Sequence, residues 1–284
     1  MTIVGSSLPR WRVTGLTVGA VVVGVFVLAA LVAPLTPLPD PLSYSGPPYA
    51  PPSGTHPLGT DDVGHDLAAQ LVHGARQSLS VGLLAGVAAA ALAALVGITA
   101  GFVGGRVDAV AMRIVDVGMA LPHLPLMMLL AVQLGPHRYV VVGVIAGLGW
   151  FVPARVIRSA VLGIAGRDHI RVARFYGGSV GYLIRRHVLP AVAPVLATSL
   201  VLGVGRAIGL EAMLAFLGLA DPLTVSWGTM MRHALSDPGI WFGTRWVVTV
   251  LLPGLCIGTV VLGLTLIASG LETRWDPRLE DVHA

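Results

Sequence analysis

Apolar residues in this chain come in long blocks, not in the alternation or spaced stripes of a water-facing fold. Blocks over 13–33, 79–104, 108–134, 139–158, 190–219 and 246–270 carry few charges. Each is long enough, at about 1.5 Å per helical residue, to cross a hydrocarbon layer of about 30 Å. Backbone amides find no water inside lipid, so each block predicts a helix and the whole an all-α, polytopic membrane bundle of six transmembrane helices. The second block is nearly all Gly, Ala, Leu and Val, "GLLAGVAAAALAALVGITAGFVGG" over 82–105. Close backbone approach through small faces is what joins helices where lipid is as apolar as the side chains.

The polar stretches between the blocks set the organisation: 1–12 before the first span over 13–34, a loop over 35–77, a five-helix core over 78–270 and a tail over 271–284. The first block could be a secretory signal. Its 21 residues exceed the usual apolar stretch of about 7–15, and its best small-residue site, Leu31-Val32-Ala33, is followed by Pro34. An uncleaved anchor is the expectation. The loop over 35–77 is rich in Pro, Gly and Asp. Asp61, Asp62 and Asp66 cluster there with His56 and His65. A metal site is one reading and a solvated acidic loop the expected one.

Composition agrees: 55% of residues are hydrophobic, 11% are charged, and mean hydropathy is +0.83, against about 25% charged in soluble domains. All 18 basic residues are arginine. Without lysine there is no P-loop and no Schiff-base amine. The single Cys256 excludes an intramolecular disulfide and a thiolate cluster. A pI near 9.8 would suit nucleic acid, but the arginines lie in short segments between spans, where topology accounts for them. With the N-terminus in the cytoplasm, thirteen arginines fall inside (10, 12, 106, 113, 155, 158, 167, 171, 174, 185, 186, 274, 278) and four outside (76, 138, 232, 245). This positive-inside bias places both termini in the cytoplasm and the 35–77 loop outside.

Topology needs only a few of those charges, yet "GRDHIRVARFYGGSVGYLIRRHVLP" over 166–190 carries five arginines. The pattern predicts a short amphipathic helix, a break at Gly177-Gly178, and a second turn leading to Leu189-Pro190. Such a surface either docks a partner or lies on anionic lipid, and the residues alone leave both open. Within the spans, Arg113 and Asp116, three apart, predict a local pair. Pro122 and Pro125 predict a kink. His123 and His187 read as structural. Arg206 sits near mid-span and should face a water-filled path or a partner carboxylate. Glu211, nearer the outer end, caps or pairs at an outer gate, or snorkels.

The segment 166–190 resembles the coupling loop of binding-protein-dependent ABC importer permeases, whose motif runs EAA, three residues, Gly, nine residues, I-x-L-P. Here Arg171-Val172-Ala173, Gly177 and His187-Val188-Leu189-Pro190 stand at those positions, Arg171 and Val172 replacing the Glu and first Ala. "HPLGTDDVGHDLAAQLVHGARQSLSVGL" (56–83), "GGRVDAVAMRIVDVGMALPHLPLMMLL" (104–130), "LEAMLAFLGLADPLTVSWGTMM" (210–231) and the "PGL…GLETRWDPR" ending (253–278) are similar to segments of the dipeptide/oligopeptide/nickel permeases, C-type subunit. The resemblance implies a type I ABC importer permease fold. It implies a non-catalytic subunit that forms the pathway with a second permease. A solute-binding protein would deliver the substrate, and ATPase subunits would hold ATP and Mg, with no cofactor in this chain. It implies a coupling loop over 159–189 with contact residues Arg167, Asp168, Ile170, Arg171, Ala173, Arg174, Phe175, Gly177, Gly178 and Pro190, where a helix bearing Ile170, Ala173 and Phe175 enters an ATPase groove and Gly177 lets the chain turn. Arg206 and Glu211 are the candidate pathway or gate residues. Substrates would be di- or oligopeptides, or alternatively nickel chelates, haem or another small solute. An ion-coupled secondary transporter is the more distant reading, but the chain shows no repeat of one half in the other. An intramembrane enzyme is disfavoured because neither H-E-x-x-H nor G-x-S-x-G occurs.

Overall fold

The computed structural model describes residues 10–275. The stretches 1–9 and 276–284, with most of the expected tail and Arg278, lie outside the described residues. The chain forms α1 (Arg10–Val32), α2 (Leu67–Val103), α3 (Gly105–Ala120), α4 (His123–Leu134), α5 (Arg138–Gly149), α6 (Phe151–Ala165), α7 (Asp168–Phe175), α8 (Val180–Leu183), α9 (Leu189–Phe216), α10 (Trp227–Ser236) and α11 (Leu252–Trp275). Four helical runs are long and apolar enough to cross a membrane. Two bent pairs, α3–α4 and α5–α6, make six crossings when each pair is one span.

Several boundaries differ from the sequence reading. The loop expected over 35–77 ends at Asp66, because α2 already starts at Leu67. At 37 residues α2 is about 55 Å long, so its first turns stand clear of a 30 Å layer. The fourth span runs on to Ala165, the fifth begins at Val180, and the last reaches Trp275. With six crossings, α7 and α8 share one end of the bundle with both ends of the described chain. Residues 36–66 and α10 share the other.

Prolines place the bends. The α3–α4 pair turns by 87° at Leu121, held extended (φ −73°, ψ 141°) ahead of Pro122, so the expected kink is present. The α5–α6 pair bends by 43° at Trp150, three residues before Pro153, which cannot donate back to Gly149. Two Leu-Pro steps do not break their helices. Each follows a π-helical turn, Ile184–Val188 before Pro190 and Val247–Leu251 before Pro253. The wider i→i−5 bonds, Leu189 N–H to the Ile184 carbonyl and Leu252 N–H to that of Val247, absorb the missing donor.

Helix α2 is the axis of the bundle. Gly74, Ser78, Gly82 and Gly86 recur every four residues along one side. A Cβ on Gly86 would lie 2.6 Å from the Val204 Cα of α9, and one on Gly82 would strike Ile208. Farther on, a Cβ on Gly97 would lie 2.6 Å from the Ala154 carbonyl of α6. The small-residue density of this span is therefore the packing surface the sequence implied. Gly19 of α1 meets Gly263 of α11 in the same manner.

Candidate coupling end and membrane-embedded recess

At one end α7 lies across the bundle. Ile170 is 1% exposed and packs with Phe102, Ile164, Leu183 and Val188; Ala173 leans on the same cluster. Arg174, though exposed, reaches back to the bundle. Its guanidinium lies 4.8 Å over the Phe102 ring, and Nη2 donates to the Phe102 carbonyl at 3.4 Å, in the last turn of α2, where a cation meets the negative end of the helix dipole. The helix closes with a Schellman turn: Gly178 N–H donates to the Ala173 carbonyl (3.0 Å) and Gly177 N–H to that of Arg174 (3.1 Å). Gly177 has φ +85°, which side chains resist. A Cβ on Gly178 would sit 2.8 Å from the Ala173 oxygen. The two glycines thus serve different needs. Around Gly177 a Cβ meets open space, so a bulky residue there is opposed by backbone strain and not by obstruction.

What α7 presents outward differs from the expected set. Ile170, Ala173 and Arg174 hold the helix down, because the bundle supplies an apolar seat and a carbonyl on that side. Phe175 and Tyr176 stand 87% and 83% exposed, and Val172, Val180 and Tyr182 are exposed as well. Arg167, the N-cap of α7, is exposed, as are Asp168 and Arg171 on the helix, with the latter two 3.6 Å apart. Arg185, Arg186 and Pro190 are exposed on the following turns. His187, half-buried, stacks near His169 and Tyr182.

At the opposite end the acidic loop is a hydrogen-bonded cap: of the three aspartates expected to be solvated, Asp62 is exposed while Asp61 and Asp66 turn in. Asp66 is fully buried; its Oδ1 caps α2 by accepting from Ala69 N–H (2.8 Å), and its Oδ2 bonds His56 Nδ1 (2.8 Å). Asp61 Oδ1 accepts from the backbone of Val63, Gly64 and His65, and Oδ2 from Gln70 Nε2 (2.6 Å), with His65 Nδ1 at 2.9 Å. Thr60 bonds Pro47 and Ala50, and Gly59 passes where a Cβ would be 2.5 Å from the Ala50 carbonyl. The loop is clasped to residues 237–245 by the Tyr49 hydroxyl donating to Asp237 (3.1 Å) and by Arg245 over the Tyr49 ring. The "HPLGTDDVGHD" residues fold the entry to the second span. Among the described residues, no group of three His, Cys, Asp or Glu side chains is placed to hold a metal ion.

Burial alone would raise the Asp61 pKa. The bonds from the His65 backbone, Gln70 and the His65 ring outweigh it and hold the carboxyl below its ordinary 3.8. A depressed folded pKa stabilises above the unfolded value and loses that contribution as pH falls through the folded one. Protease resistance of residues 36–66 should therefore hold at about pH 5 and decline below about pH 4. Asp61→Asn should cost about 1–3 kcal/mol and lose resistance already at neutral pH. Equal proteolysis of the two proteins at neutral pH would contradict this role.

The two intramembrane candidates lie on different faces of α9, as their spacing of five requires. Glu211 is 2% exposed. The hydroxyls of Ser78 on α2 and Ser226, the N-cap of α10, are its partners, while Oε2 has none. Trp227, which follows, is sealed in by bonds to Ser78 Oγ (3.2 Å) and the Leu71 carbonyl (3.1 Å). Glu211 therefore does not snorkel; it ties α2, α9 and α10 together. Arg206, ten residues before the end of α9 and so roughly 15 Å deep, is exposed to a recess of about 350 Å³ between α2, α4, α5, α6 and α9. No ion pair joins it to a described carboxylate. A guanidinium at mid-bilayer costs about 2.5–3.5 kcal/mol, so such a position needs a polar surrounding.

The Arg113–Asp116 pair is not formed. Asp116 pairs with Arg155, and Asp108 with both arms of Arg158, while Arg113 is exposed. Helix α6 packs along α3, and its arginines reach those carboxylates across the helix interface. His123 approaches the Phe151 ring at 6.2 Å and also borders the Arg206 recess.

A six-span helical bundle that encloses a charged recess and offers a firmly seated aromatic and basic knuckle at one end is the architecture of a membrane permease subunit. The chain belongs to the family of binding-protein-dependent transport system inner membrane components, whose model matches residues 93–281. It is 38% identical over 231 residues to a putative peptide permease protein of Brucella suis, covering 81% of this chain and 75% of that one. It is 33% identical to the dipeptide transport system permease protein DppC of Bacillus subtilis (81% and 71%). A putative peptide transport system permease protein of Brucella suis is 35% identical over 269 residues (93% and 88%). The expected type I ABC permease fold is thereby shown.

Proposed function

We propose that this chain is one half of the translocation pathway of an ATP-driven peptide importer. It is paired with a second permease, supplied from outside by a solute-binding protein, and driven at its α7 end by ATPase subunits that hold ATP and Mg. The observation that carries this reading is the knuckle. Ile170 and Arg174 seat α7 on the ends of α2 and α6 and on the turns that lead into α9, so a load applied at Phe175 and Tyr176 passes into the spans. Exposed aromatics ringed by arginine fit an apolar groove with acidic edges. Peptides as the solute are supported by the named relatives. The arginine distribution supports a cytoplasmic side for the α7 end and both termini.

Two measurements test it together. In a Cys256→Ser background, a cysteine at Arg171 should react with a membrane-impermeant maleimide only after permeabilisation, and one at Asp40 in intact cells. The reconstituted assembly should take up radiolabelled dipeptide only with ATP. Labelling of position 171 from outside, or uptake driven by a proton gradient without nucleotide, would overturn the proposal, the latter in favour of a secondary transporter.

A further inference from the structure

We infer that Arg206 makes its recess a selective station for solutes bearing a free carboxylate. The inference rests on the import reading and deepens it. Three polar side chains line the recess, Arg206, His123 and Ser199, and none of its lining residues is Asp or Glu. All three can donate a hydrogen bond, and the guanidinium offers a planar fork that matches a carboxylate. The remaining wall is apolar or small, as at Ala85, Ala89 and Gly203. Apolar walls strengthen a charge pair, and small ones grip no particular side chain. The recess therefore reads the charged end of a solute and tolerates variety in the rest, as a carrier of mixed peptides requires.

The test uses the complete permease–ATPase assembly in nanodiscs, without the solute-binding protein. Radiolabelled dialanine and its C-terminal amide serve as probes, with Arg206→Gln and Arg206→Lys as variants. Arg206→Gln should weaken dialanine binding by about tenfold or more and leave the amide unchanged, while Arg206→Lys keeps most of the affinity. Wild-type affinity for dialanine in Arg206→Gln overturns the inference. So does equal loss for both probes, or loss of the second permease from the Arg206→Gln assembly, which would place the arginine's partner on that subunit. ATP-driven uptake is measured separately, on the same purified assembly reconstituted in proteoliposomes with the solute-binding protein added. Arg206-dependent binding without ATP-driven uptake would count against the import reading alone and leave the carboxylate site standing.

Discussion

Phe175→Ala combined with Tyr176→Ala should reduce ATP-driven uptake by well over tenfold while leaving the permease folded. Both side chains are almost wholly exposed, so their removal takes nothing from the bundle. Aromatic anchors at the centre of an interface are worth about 2 kcal/mol or more each, or roughly thirty-fold per residue in affinity. The expected signature is loss of the ATPase on co-purification with an unchanged melting temperature. Ile170→Ala gives the contrast. That side chain is buried under α7, and its truncation should cost about 2–5 kcal/mol of stability. Retained ATPase binding in the double variant would show that the knuckle is not the contact.

Gly86→Leu should destabilise the bundle by about 3 kcal/mol or more, above the usual range for overpacking, because the obstacle is backbone. The new Cβ would lie 2.6 Å from the Cα and 2.8 Å from the nitrogen of Val204, and neither atom can rotate away. Helices α2 and α9 would have to separate along their whole contact, including the Ser78–Glu211–Ser226 joint. Gly163→Leu is the control, since a Cβ there meets nothing within 4 Å. Thermal unfolding in detergent should fall by several degrees for Gly86→Leu and stay level for Gly163→Leu. Equal melting of the two would mean that the close approach is not what joins these spans.

Much of this was legible in the chain. Block length marked the six crossings, Pro122 marked the sharpest bend, and the Gly177-Gly178 pair marked the end of α7. The small-residue run of α2 announced close packing. The start of α2 was legible in principle, since Asp66 before an apolar run is an N-cap signal, but the Pro- and Gly-rich context hid it. The roles of Arg174, Asp61 and Glu211 were not legible. Arg174 and Glu211 depend on partners far along the chain, Phe102 for the first and Ser78 for the second, while Asp61 depends on how the turn over 63–65 and Gln70 close around its carboxylate.

The amino-acid sequence by itself determined that the protein spans a membrane about six times and carries its basic, glycine-broken knuckle between the fourth and fifth spans. Only the tertiary structure decided which side of α7 is seated and which is offered, that Asp116 reaches across to Arg155, and that Glu211 is sealed in while Arg206 faces a recess. The reason lies in the solvent. In water, polarity marks the outer face of a helix. Lipid is as apolar as a protein core, so within a span the sequence carries little record of which residues face a neighbour, and packing alone assigns them.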